Sequence, residues 1–480
     1  MRIALVFLDK LEGAPHLGIA YIASYVRKYG GFNDIVIIDK EDPVKAMKKQ
    51  KPDIVGITSV TKEFKLATAL ADTIKSDFDV PTILGGVHVT ELPHTLPPSF
   101  DIGVLGEGEE TMLELMKMYE KRGEFKKDLL KDVRGVAFHD NGRILVTEQR
   151  PFIEPLDRIP YPARDLLNMD FYLKPGRTVP DKITVGTTMM TSRGCPYNCI
   201  FCASPHFWRR TTRFHSPEYV VGEIGMLAEK YKVQSIRIWD DLFTTNIGRL
   251  KEIVRLTRAA GLHEKIDFYC YGRANLMTEE VCKLLKQMNV RYLSFGLESG
   301  SDKVLGYLKR GTVTAEQNRS AVELCKKFGF VIDATFIFGT PGETREDVQK
   351  TFDLMKNDAI DRALAFPLTP YPGTELWELV KRDGAVKDEK DVDWETVDTR
   401  RFDEKLYMNK SMGQKEFLEQ FDAAQKYIRE VKNARLPRMS LKYMLNPMFI
   451  KRFLSDWRGF SKETINAVRN AVRLKIVKNK

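Results

Sequence analysis

The chain has 480 residues, of which 43% are hydrophobic and 30% charged, and this composition excludes a disordered or fibrous protein. The net charge of +10 would suit a polyanion-binding protein, but residues 432–480 alone hold 13 Lys and Arg against 2 Asp and Glu. The rest of the chain therefore carries a balance of −1, which excludes a basic surface spread over the whole protein.

The cysteine and hydropathy patterns bear on the cellular compartment. Six cysteines are too few for a disulfide framework in a chain of this length, and three of them fall within eight positions. The first apolar run, from Ile3 to Leu8, is too short for a secretory signal, and no run approaches the eighteen or so apolar residues of a membrane span. We therefore expect a cytoplasmic protein with reduced thiols.

The first 120 residues alternate short apolar runs with amphipathic stretches, a pattern typical of a parallel sheet covered on both faces. The predicted strands are 2–8, 34–39, 53–60, 81–88 and 101–108. Several end in small residues, and ligands of doubly wound sheets bind beyond the carboxyl ends of the strands. The candidate ligand contacts there are Thr58, Ser59, Gly85, Gly86, Gly106 and Glu107. The alternative is that these residues only form tight turns.

The pattern becomes irregular over 123–182, where a predicted hairpin at 133–147 precedes a proline-rich connector. A second alternating series follows, with strands predicted at 185–192, 234–239, 265–271, 291–298, 331–339 and 362–367. Six such units resemble a partial TIM-type barrel, whose chemistry lies at the carboxyl ends of its strands. The predicted domains are 1–122, the connector 123–182, the barrel 183–385, a helical extension 386–431 and a basic amphipathic tail 432–480.

Three cysteines follow the first barrel strand with the spacing C-x3-C-x2-C; they are Cys195, Cys199 and Cys202. Three thiolates from one loop can hold a cubane iron–sulfur cluster and leave one iron without a protein ligand. The alternative is a closed zinc site with His206 as the fourth ligand. The other cysteines, which lack ligand spacing and are predicted to be ordinary buried thiols, are Cys270, Cys282 and Cys325.

The cysteine trio, with Phe201 before its last member, resembles the cluster motif of radical S-adenosylmethionine (radical SAM) enzymes. Further matching segments at barrel strand ends are 239–244, 271–275, 296–301, 336–344 and 370–375. The N-terminal region resembles, through 16–21, 85–88 and 106–109, the cobalamin-binding domain of one radical SAM subgroup. That subgroup includes hopanoid and peptide methylases and the anaerobic cyclase that makes the fifth ring of chlorophyll.

The resemblance implies an α/β chain in which a doubly wound, Rossmann-like cobalamin-binding domain precedes a partial (β/α)6 TIM-type radical SAM barrel and a helical, basic C-terminal tail. It also implies three cofactors: a [4Fe-4S] cluster on the three cysteines, S-adenosylmethionine and cobalamin. In such enzymes the reduced cluster cleaves SAM to a 5′-deoxyadenosyl radical, which abstracts hydrogen from an unactivated carbon. A one-electron donor such as flavodoxin or ferredoxin is implied as a partner.

The resemblance assigns roles to individual residues. The residues implied in binding SAM are Phe201, Asp240, Asp241, Arg273, Glu298, Ser299 and Gly339. The alternative for the two aspartates is a helix cap or loop pair, and for Arg273 a structural salt bridge. His88 joins the strand-end residues as a cobalamin contact. The cobalt-ligating motif D-x-H-x-x-G is absent because Ala14 stands where His16 would need an acidic neighbour, so no lower axial histidine is predicted.

The tail carries four aromatic residues on one face of a helix predicted to begin at Asn446; they are Phe449, Phe453, Trp457 and Phe460. Flanking cations suit peripheral membrane contact through 446–480, and packing on the barrel is the alternative. We expect methylation of an unactivated carbon in a lipophilic substrate of the isoprenoid or tetrapyrrole class. The alternatives are a non-methylating radical cyclase or oxidoreductase, an RNA-modifying enzyme and a non-catalytic cobalamin sensor. Nucleic acid is disfavoured because a second cysteine trio and an RNA-binding segment are missing from the sequence.

Overall fold

The computed structural model describes residues 1–8, 13–173 and 184–444, with 431–444 as backbone only. The strands are β1 (Ile3–Phe7), β2 (Ile35–Ile38), β3 (Ile54–Thr58), β4 (Thr82–Gly85), β5 (Ile102–Val104), β6 (Val136–Asp140), β7 (Arg143–Val146), β8 (Gly186–Met189), β9 (Ser192–Arg193), β10 (Arg213–Phe214), β11 (Ser235–Ile238), β12 (Asp267–Gly272), β13 (Val290–Glu298), β14 (Val331–Phe338) and β15 (Arg362–Pro367). The α-helices are α1 (Leu17–Gly30), α2 (Pro43–Gln50), α3 (Phe64–Asp77), α4 (Val87–Glu91), α5 (Gly108–Arg122), α6 (Lys127–Leu130), α7 (Met169–Tyr172), α8 (Ser204–Phe207), α9 (Pro217–Lys230), α10 (Ile247–Ala259), α11 (Glu279–Gln287), α12 (Asp302–Lys309), α13 (Ala315–Lys327), α14 (Arg345–Met355), α15 (Glu375–Arg382) and α16 (Gln414–Met444).

The N-terminal sheet has the order β2-β1-β3-β4-β5-β6-β7, and its first five strands are parallel. Every residue of β1 is buried because both faces of this central strand are covered. The strand order reverses between β1 and β3, and such a switch point is where doubly wound sheets bind ligands. The predicted doubly wound fold is confirmed.

The predicted hairpin forms from β6 and β7. Asn141 and Gly142 occupy its turn with φ values of 49° and 76°, the conformation of a primed turn. β6 pairs antiparallel with β5, so the hairpin extends the N-terminal sheet, although the sequence placed it in the connector.

The second sheet has the order β8-β11-β12-β13-β14-β15 and is parallel throughout, as a six-unit partial barrel requires. Its side chains alternate between two faces. Ile236 and Ile238 of β11 pack into a core with side chains from α9, α10, α11, α13, α14 and α16, whereas Arg237 is excluded from that core. The helices therefore cover one face, and we call the space walled by the other face the barrel lumen.

The last described helix, α16, packs on β15, the final barrel strand. It runs without interruption across residue 431, where the sequence placed a domain boundary. The aromatic stripe predicted for 446–460 lies outside the described residues. Within the described part of the chain, we find no helix with the length and apolarity needed to cross a membrane.

Candidate active site

The cysteine loop is closed at its base by a short ribbon in which β9 pairs antiparallel with β10. All three cysteines lie between these strands, and the backbone N–H of Cys202 donates to the carbonyl of Cys199 at 3.2 Å. The loop begins at Gly194, whose φ is 97°. A Cβ at Gly194 would lie 2.0 Å from the carbonyl oxygen of Thr211, so this position requires glycine.

The three thiols are partly buried and unpaired, as cluster ligands must be. Burial raises the pKa of Cys195 and raises that of Cys202 to about 12, so ligation of iron would release protons from these thiols. His206, the fourth ligand of the zinc alternative, is exposed, whereas the three cysteines are partly buried.

Asp240, predicted to contact SAM, is engaged in hydrogen bonds within the protein. Its buried carboxylate accepts hydrogen bonds from Thr191 N and Oγ1, both at 2.5 Å, and from Ser192 Oγ at 2.7 Å. Burial raises the pKa of Asp240, and these hydrogen bonds oppose that shift. Asp240 therefore anchors the segment that enters the cysteine loop. Asp241 is exposed and accepts from Ser204 Oγ at 2.7 Å, so it remains the candidate for a polar contact with SAM.

Arg273 lies against the cysteine loop. Its Nη1 is 3.6 Å from Cys199 Sγ, its Nη2 donates to Thr312 Oγ1 at 2.5 Å, and its guanidinium carbon lies 3.7 Å from the ring centroid of Tyr197. The side chain thus places a positive charge beside a proposed cluster ligand. It makes no ion pair with a carboxylate of the described residues, so the structural salt bridge considered from the sequence is absent there.

Glu298 and Ser299 follow the fourth barrel strand, and both are engaged within the protein. Glu298 has a φ of 63°, unusual for a side chain of this size, and its Oε1 lies 3.4 Å from the buried Lys309 Nζ. Ser299 Oγ is 2.8 Å from Thr351 Oγ1 and accepts from the backbone of Ser301 at 3.1 Å. The Ser299 hydroxyl therefore points towards α14. Glu298 forms a buried ion pair with Lys309 at the end of the strand.

Gly339 and Phe201 lie at apolar contacts near the barrel mouth. Gly339 has a φ of 88°, and a Cβ there would lie 2.9 Å from the ring of Phe417 on α16, so glycine is required. Its N–H donates to Glu343 Oε2 at 2.6 Å. Phe201 is half-buried against a small core that includes Leu308 and Ile337, with part of its ring open for stacking.

A cleft with a volume of about 220 Å³ opens at the carboxyl ends of β1, β3, β4 and β5. The N-terminal residues lining its mouth include His16, Gly18, Thr58, Gly85, Gly86, Gly106 and Glu107, and its apolar walls include Leu5, Ile57, Ile83, Val104 and Met112. A Cβ at Gly85 or Gly106 would meet no protein atom within 4 Å, so these glycines leave a cradle open. A glycine cradle above apolar walls fits a large, flat group such as the corrin of cobalamin, which needs close backbone approach.

Two predicted cobalamin contacts, His88 and Ser59, are not among the residues that line this cleft. His88 is buried between Phe64 and Trp394, at ring centroid distances of 3.9 and 4.8 Å, because packing against aromatic rings holds it in the core. Burial lowers the pKa of His88 to about 3. Ser59 instead packs against the turn at Gly86, because its carbonyl oxygen would lie 2.2 Å from a Cβ at Gly86.

Glu107 lines the cleft, but its carboxylate is fully engaged with the barrel domain. Its Oε1 accepts from Arg193 Nη1 at 2.5 Å and Arg213 Nη2 at 2.8 Å, and its Oε2 accepts from Arg213 Nη1 at 2.9 Å and Ile153 N at 3.0 Å. Burial would raise the pKa of Glu107, but the two arginines outweigh it and hold the pKa below its usual value. Glu109 accepts from Arg193 Nη2 at 2.6 Å.

Several barrel residues also line this cleft, and sequence reasoning did not find them; they are Met190, Arg193, Phe207 and Trp208. They flank the cysteine loop on both sides, so the cobalamin cleft and the cluster loop share a wall. Thr90 was missed as well, although its hydroxyl donates to Gly86 O at 2.8 Å and accepts from Gly106 N at 3.0 Å, which ties two cradle turns together. For the barrel residues, the available sequence signal was the run S-R-G-C, in which Arg193 lies two residues before the first cysteine of the loop.

Two protein-family models match the chain: the radical SAM superfamily over residues 189–355 and the B12 binding domain over residues 8–116. An uncharacterized methyltransferase of Pyrococcus horikoshii is 38% identical over 375 residues, covering 76% of this chain and 78% of that protein. The anaerobic magnesium-protoporphyrin IX monomethyl ester cyclase of Rubrivivax gelatinosus is 31% identical over 378 residues, covering 76% and 66%.

The fold is also similar to that of the cobalamin-dependent S-adenosylmethionine radical enzyme OxsB, solved with aqua-cobalamin and S-adenosylmethionine bound. The TM-score is 0.73 at 20% identity, over 95% of this chain and 70% of that one. The cleft of the B12-binding domain is also lined by residues that flank the cysteine loop of the radical SAM domain. This arrangement is that of a radical enzyme with two cofactor-binding domains. The chain belongs to the cobalamin-dependent radical SAM family, and its cofactors are a [4Fe-4S] cluster, S-adenosylmethionine and cobalamin.

Proposed function

We propose that this enzyme methylates an unactivated carbon of a lipophilic substrate, of the isoprenoid or tetrapyrrole class, with Cys195, Cys199 and Cys202 as the cluster ligands. The observation that carries the proposal is the shared wall, because it brings a cobalamin cleft next to the loop proposed to hold the cluster. When bound, the cofactors supply radical formation and a transferable methyl group. The methyltransferase relative supports methylation, and the cyclase relative supports a tetrapyrrole.

The chain's own residues would hold and orient these groups. Asp240 and the ribbon of β9 and β10 fix the loop that carries the cysteines, and Arg273 places a positive charge beside Cys199. Asp241, an exposed carboxylate that accepts from Ser204, is suited to accept also from the ammonium group of SAM. Phe207 and Trp208 close the cobalamin cleft from the barrel side and would limit access of water.

The experiment is anaerobic reconstitution of the full chain with iron, sulfide and hydroxocobalamin, followed by incubation with a chemical one-electron reductant and SAM whose methyl group carries deuterium. Lipid and tetrapyrrole extracts from cells lacking the gene serve as the substrate pool. A product that gains a deuterated methyl group supports methylation. A product that loses two hydrogens without a label would replace methylation with the cyclase or oxidoreductase alternative, and no product in either extract would contradict the lipophilic class.

We further propose that a flavodoxin or ferredoxin supplies the electron that cleaves SAM. A second proposal is that residues 446–480 contact membranes peripherally. The basic charge of the tail and its four aromatic residues at helical spacing support the second proposal. Co-sedimentation with anionic liposomes should be strong for the full chain and weak for a chain ending at Met444, which keeps the whole of α16. Equal binding by both chains would contradict membrane contact through the tail.

A further inference from the structure

The lumen face of the barrel sheet carries charged and aromatic side chains, in contrast to the apolar face under the helices. The charged side chains on its six strands are Arg237, Asp267, Arg291, Glu298, Asp333 and Arg362. Asp267 pairs with Arg291, Glu298 with Lys309 and Asp333 with Arg362. Within the described residues, Arg237 alone of this set makes no ion pair.

The surroundings of Arg237 do not neutralise its charge. The guanidinium carbon lies 4.0 Å from the ring centroid of Tyr269 and 5.8 Å from that of Tyr271. Tyr269 donates its hydroxyl proton to Asp333 at 2.9 Å, and Arg362 occupies both oxygens of that carboxylate at 2.5 and 3.0 Å. The Asp333 carboxylate therefore accepts three hydrogen bonds from Tyr269 and Arg362, and among the described residues it forms no ion pair with Arg237.

One donor of Arg237 is also unsatisfied. Its Nε is buried and has no hydrogen-bond partner among the described residues. A buried donor without an acceptor is unfavourable, whereas a bound oxyanion can accept from Nε and a terminal nitrogen of the same guanidinium at once. Since Tyr269 covers a face of the guanidinium, its edge is the part left for such a ligand.

The lumen face beside Arg237 is aromatic. Trp239 and Tyr271 are half-buried and joined by a hydrogen bond of 3.2 Å from the indole Nε1 to the hydroxyl. Further along the same face, Leu364 of β15, four strands away from β11, is 39% exposed. An exposed leucine and two partly exposed aromatic rings on the inner face of an open barrel provide contact area for the hydrophobic body of a ligand.

The position of Arg237 along β11 orients that ligand. Asp240, three residues further on, anchors the segment that enters the cysteine loop, and three residues of strand span roughly 10 Å. An anionic group held by Arg237 would lie inside the lumen, and the rest of the molecule would extend past Trp239 towards the end of the barrel where the cysteine loop lies.

We propose that Arg237, walled by Tyr269, Tyr271 and Trp239, is the lumen site that binds an oxyanion of the substrate, a carboxylate or a phosphonate-type group. This inference rests on the proposed function and sharpens its substrate class: the lipophilic substrate is an amphiphile with an anionic end. The anion fixes which carbon of the hydrophobic body reaches the cofactors.

The test uses the full chain reconstituted with cluster and cobalamin, and three probes of similar size: benzoate, phenylphosphonate and the neutral benzyl alcohol. Dissociation constants are measured by ligand-observed NMR. We expect at least one anion to bind about tenfold more tightly than benzyl alcohol, and Arg237→Gln to abolish that preference, since charge-assisted pairs have about this strength. The two anions distinguish a carboxylate from a phosphonate-type substrate.

Two further variants keep the test decisive. Arg237→Lys retains the charge without the planar fork and should keep part of the preference, which separates loss of the site from loss of the fold. Arg255→Gln removes an exposed arginine that pairs with Glu252 on α10 and should leave all three constants unchanged. Anion binding that is equal in the wild type and Arg237→Gln, or equal for all three probes, would overturn the inference.

The same samples separate this inference from the proposed function. Reductive cleavage of SAM to 5′-deoxyadenosine is measured with a chemical reductant and without substrate. Cleavage in the wild type with anion binding that ignores Arg237 contradicts the anion site alone. If a wild type that holds both the cluster and cobalamin does not cleave SAM, the proposed radical function is contradicted. That conclusion does not depend on the dissociation constants of the anions.

Discussion

Arg193 donates from Nη1 to Glu107 Oε1 across 2.5 Å, and this buried ion pair joins the strand before the cysteine loop to the turn before α5. Arg213, the cross-strand neighbour of Arg193, binds the same carboxylate. Two adjacent cations would repel each other without an anion between them. Glu107 and Glu109 together therefore balance the charges of Arg193 and Arg213, and Glu107 links the cysteine loop to the N-terminal domain.

Replacement of this carboxylate should weaken the protein and loosen the cluster loop. We expect Glu107→Gln to lower the free energy of unfolding by about 3 kcal/mol, because the buried Arg213 loses its carboxylate partner and the buried Arg193 keeps only Glu109. Hydrogen exchange of residues 194–213 should become faster in the same variant. Chemical denaturation and exchange mass spectrometry check both expectations.

An exposed ion pair provides the control for Glu107. Lys251 and Glu280 lie 2.7 Å apart with both side chains 55% exposed, and Glu280→Gln should cost less than about 1 kcal/mol. If Glu107→Gln were as mild as Glu280→Gln, the interdomain ion pair would have no special role in holding the loop.

The cluster ligands are tested by Cys199→Ala. The wild type should take up about four irons per chain on anaerobic reconstitution, and the variant should lose the cluster because only two thiolates remain in the loop. Cys282→Ala is the matched control, since Cys282 is fully buried beside Cys325 at an Sγ–Sγ distance of 3.9 Å and lies outside the loop. A complete cluster in Cys199→Ala would refute the ligand assignment. Iron content and visible absorption are the measurements.

The glycine cradle of the cobalamin cleft predicts a change in affinity without a change in stability. Gly85→Leu should weaken hydroxocobalamin binding at least about tenfold, because the new side chain enters space that no protein atom fills. Its melting temperature should stay near that of the wild type. Gly86→Ala should instead destabilise the fold, since its Cβ would lie 2.2 Å from Ser59 O at a φ of 107°. Unchanged cobalamin affinity in Gly85→Leu would exclude this cleft.

Glu91 should make stability depend on pH. Burial raises the pKa of its carboxyl to about 7, where it lies against Gly373 of the loop after β15. The folded state therefore holds a proton that the unfolded state has lost above about pH 4.5, so stability falls as the pH rises from 4.5 to 7. Glu91→Gln should equal the wild type near pH 4.5 and exceed it by about 1–2 kcal/mol at pH 8, after allowance for partial exposure.

Unfolding experiments at several pH values check this expectation. Glu419 on α16 is exposed, and Glu419→Gln should differ from the wild type by the same small amount at every pH. A stability difference between Glu91→Gln and the wild type that does not grow from pH 5 to pH 8 would show that the Glu91 carboxyl is hydrated in the folded protein.

The sequence predicted the elements well because hydrophobic runs decide which segments are buried. The five parallel strands of the first sheet and the six of the barrel lie at the predicted places, within a few residues. The cysteine spacing likewise predicted one loop with three thiols. These properties depend on neighbours along the chain, so a single sequence contains them.

Contacts between distant segments were not predicted. The sequence assigned His88, Glu107 and Asp240 to cofactors, and in the structure His88 packs between two rings while the two acids accept hydrogen bonds from residues 86 and 49 positions away. A polar residue at a strand end has the same sequence pattern whether it binds a cofactor or another part of the protein. Its partner decides, and the partner is fixed only by tertiary packing.

The amino-acid sequence by itself therefore determined the two α/β units, the cysteine loop and the family resemblance, because periodicity and spacing are local properties. Only the tertiary structure showed that Arg193, Phe207 and Trp208 of the barrel line the cleft of the N-terminal domain, and that Arg237, among the charged residues of the barrel strands, has no counter-ion within the described part of the chain. Both the charge balance around a residue and the lining of a cleft depend on side chains from separate strands. Those side chains come together only when both sheets have formed.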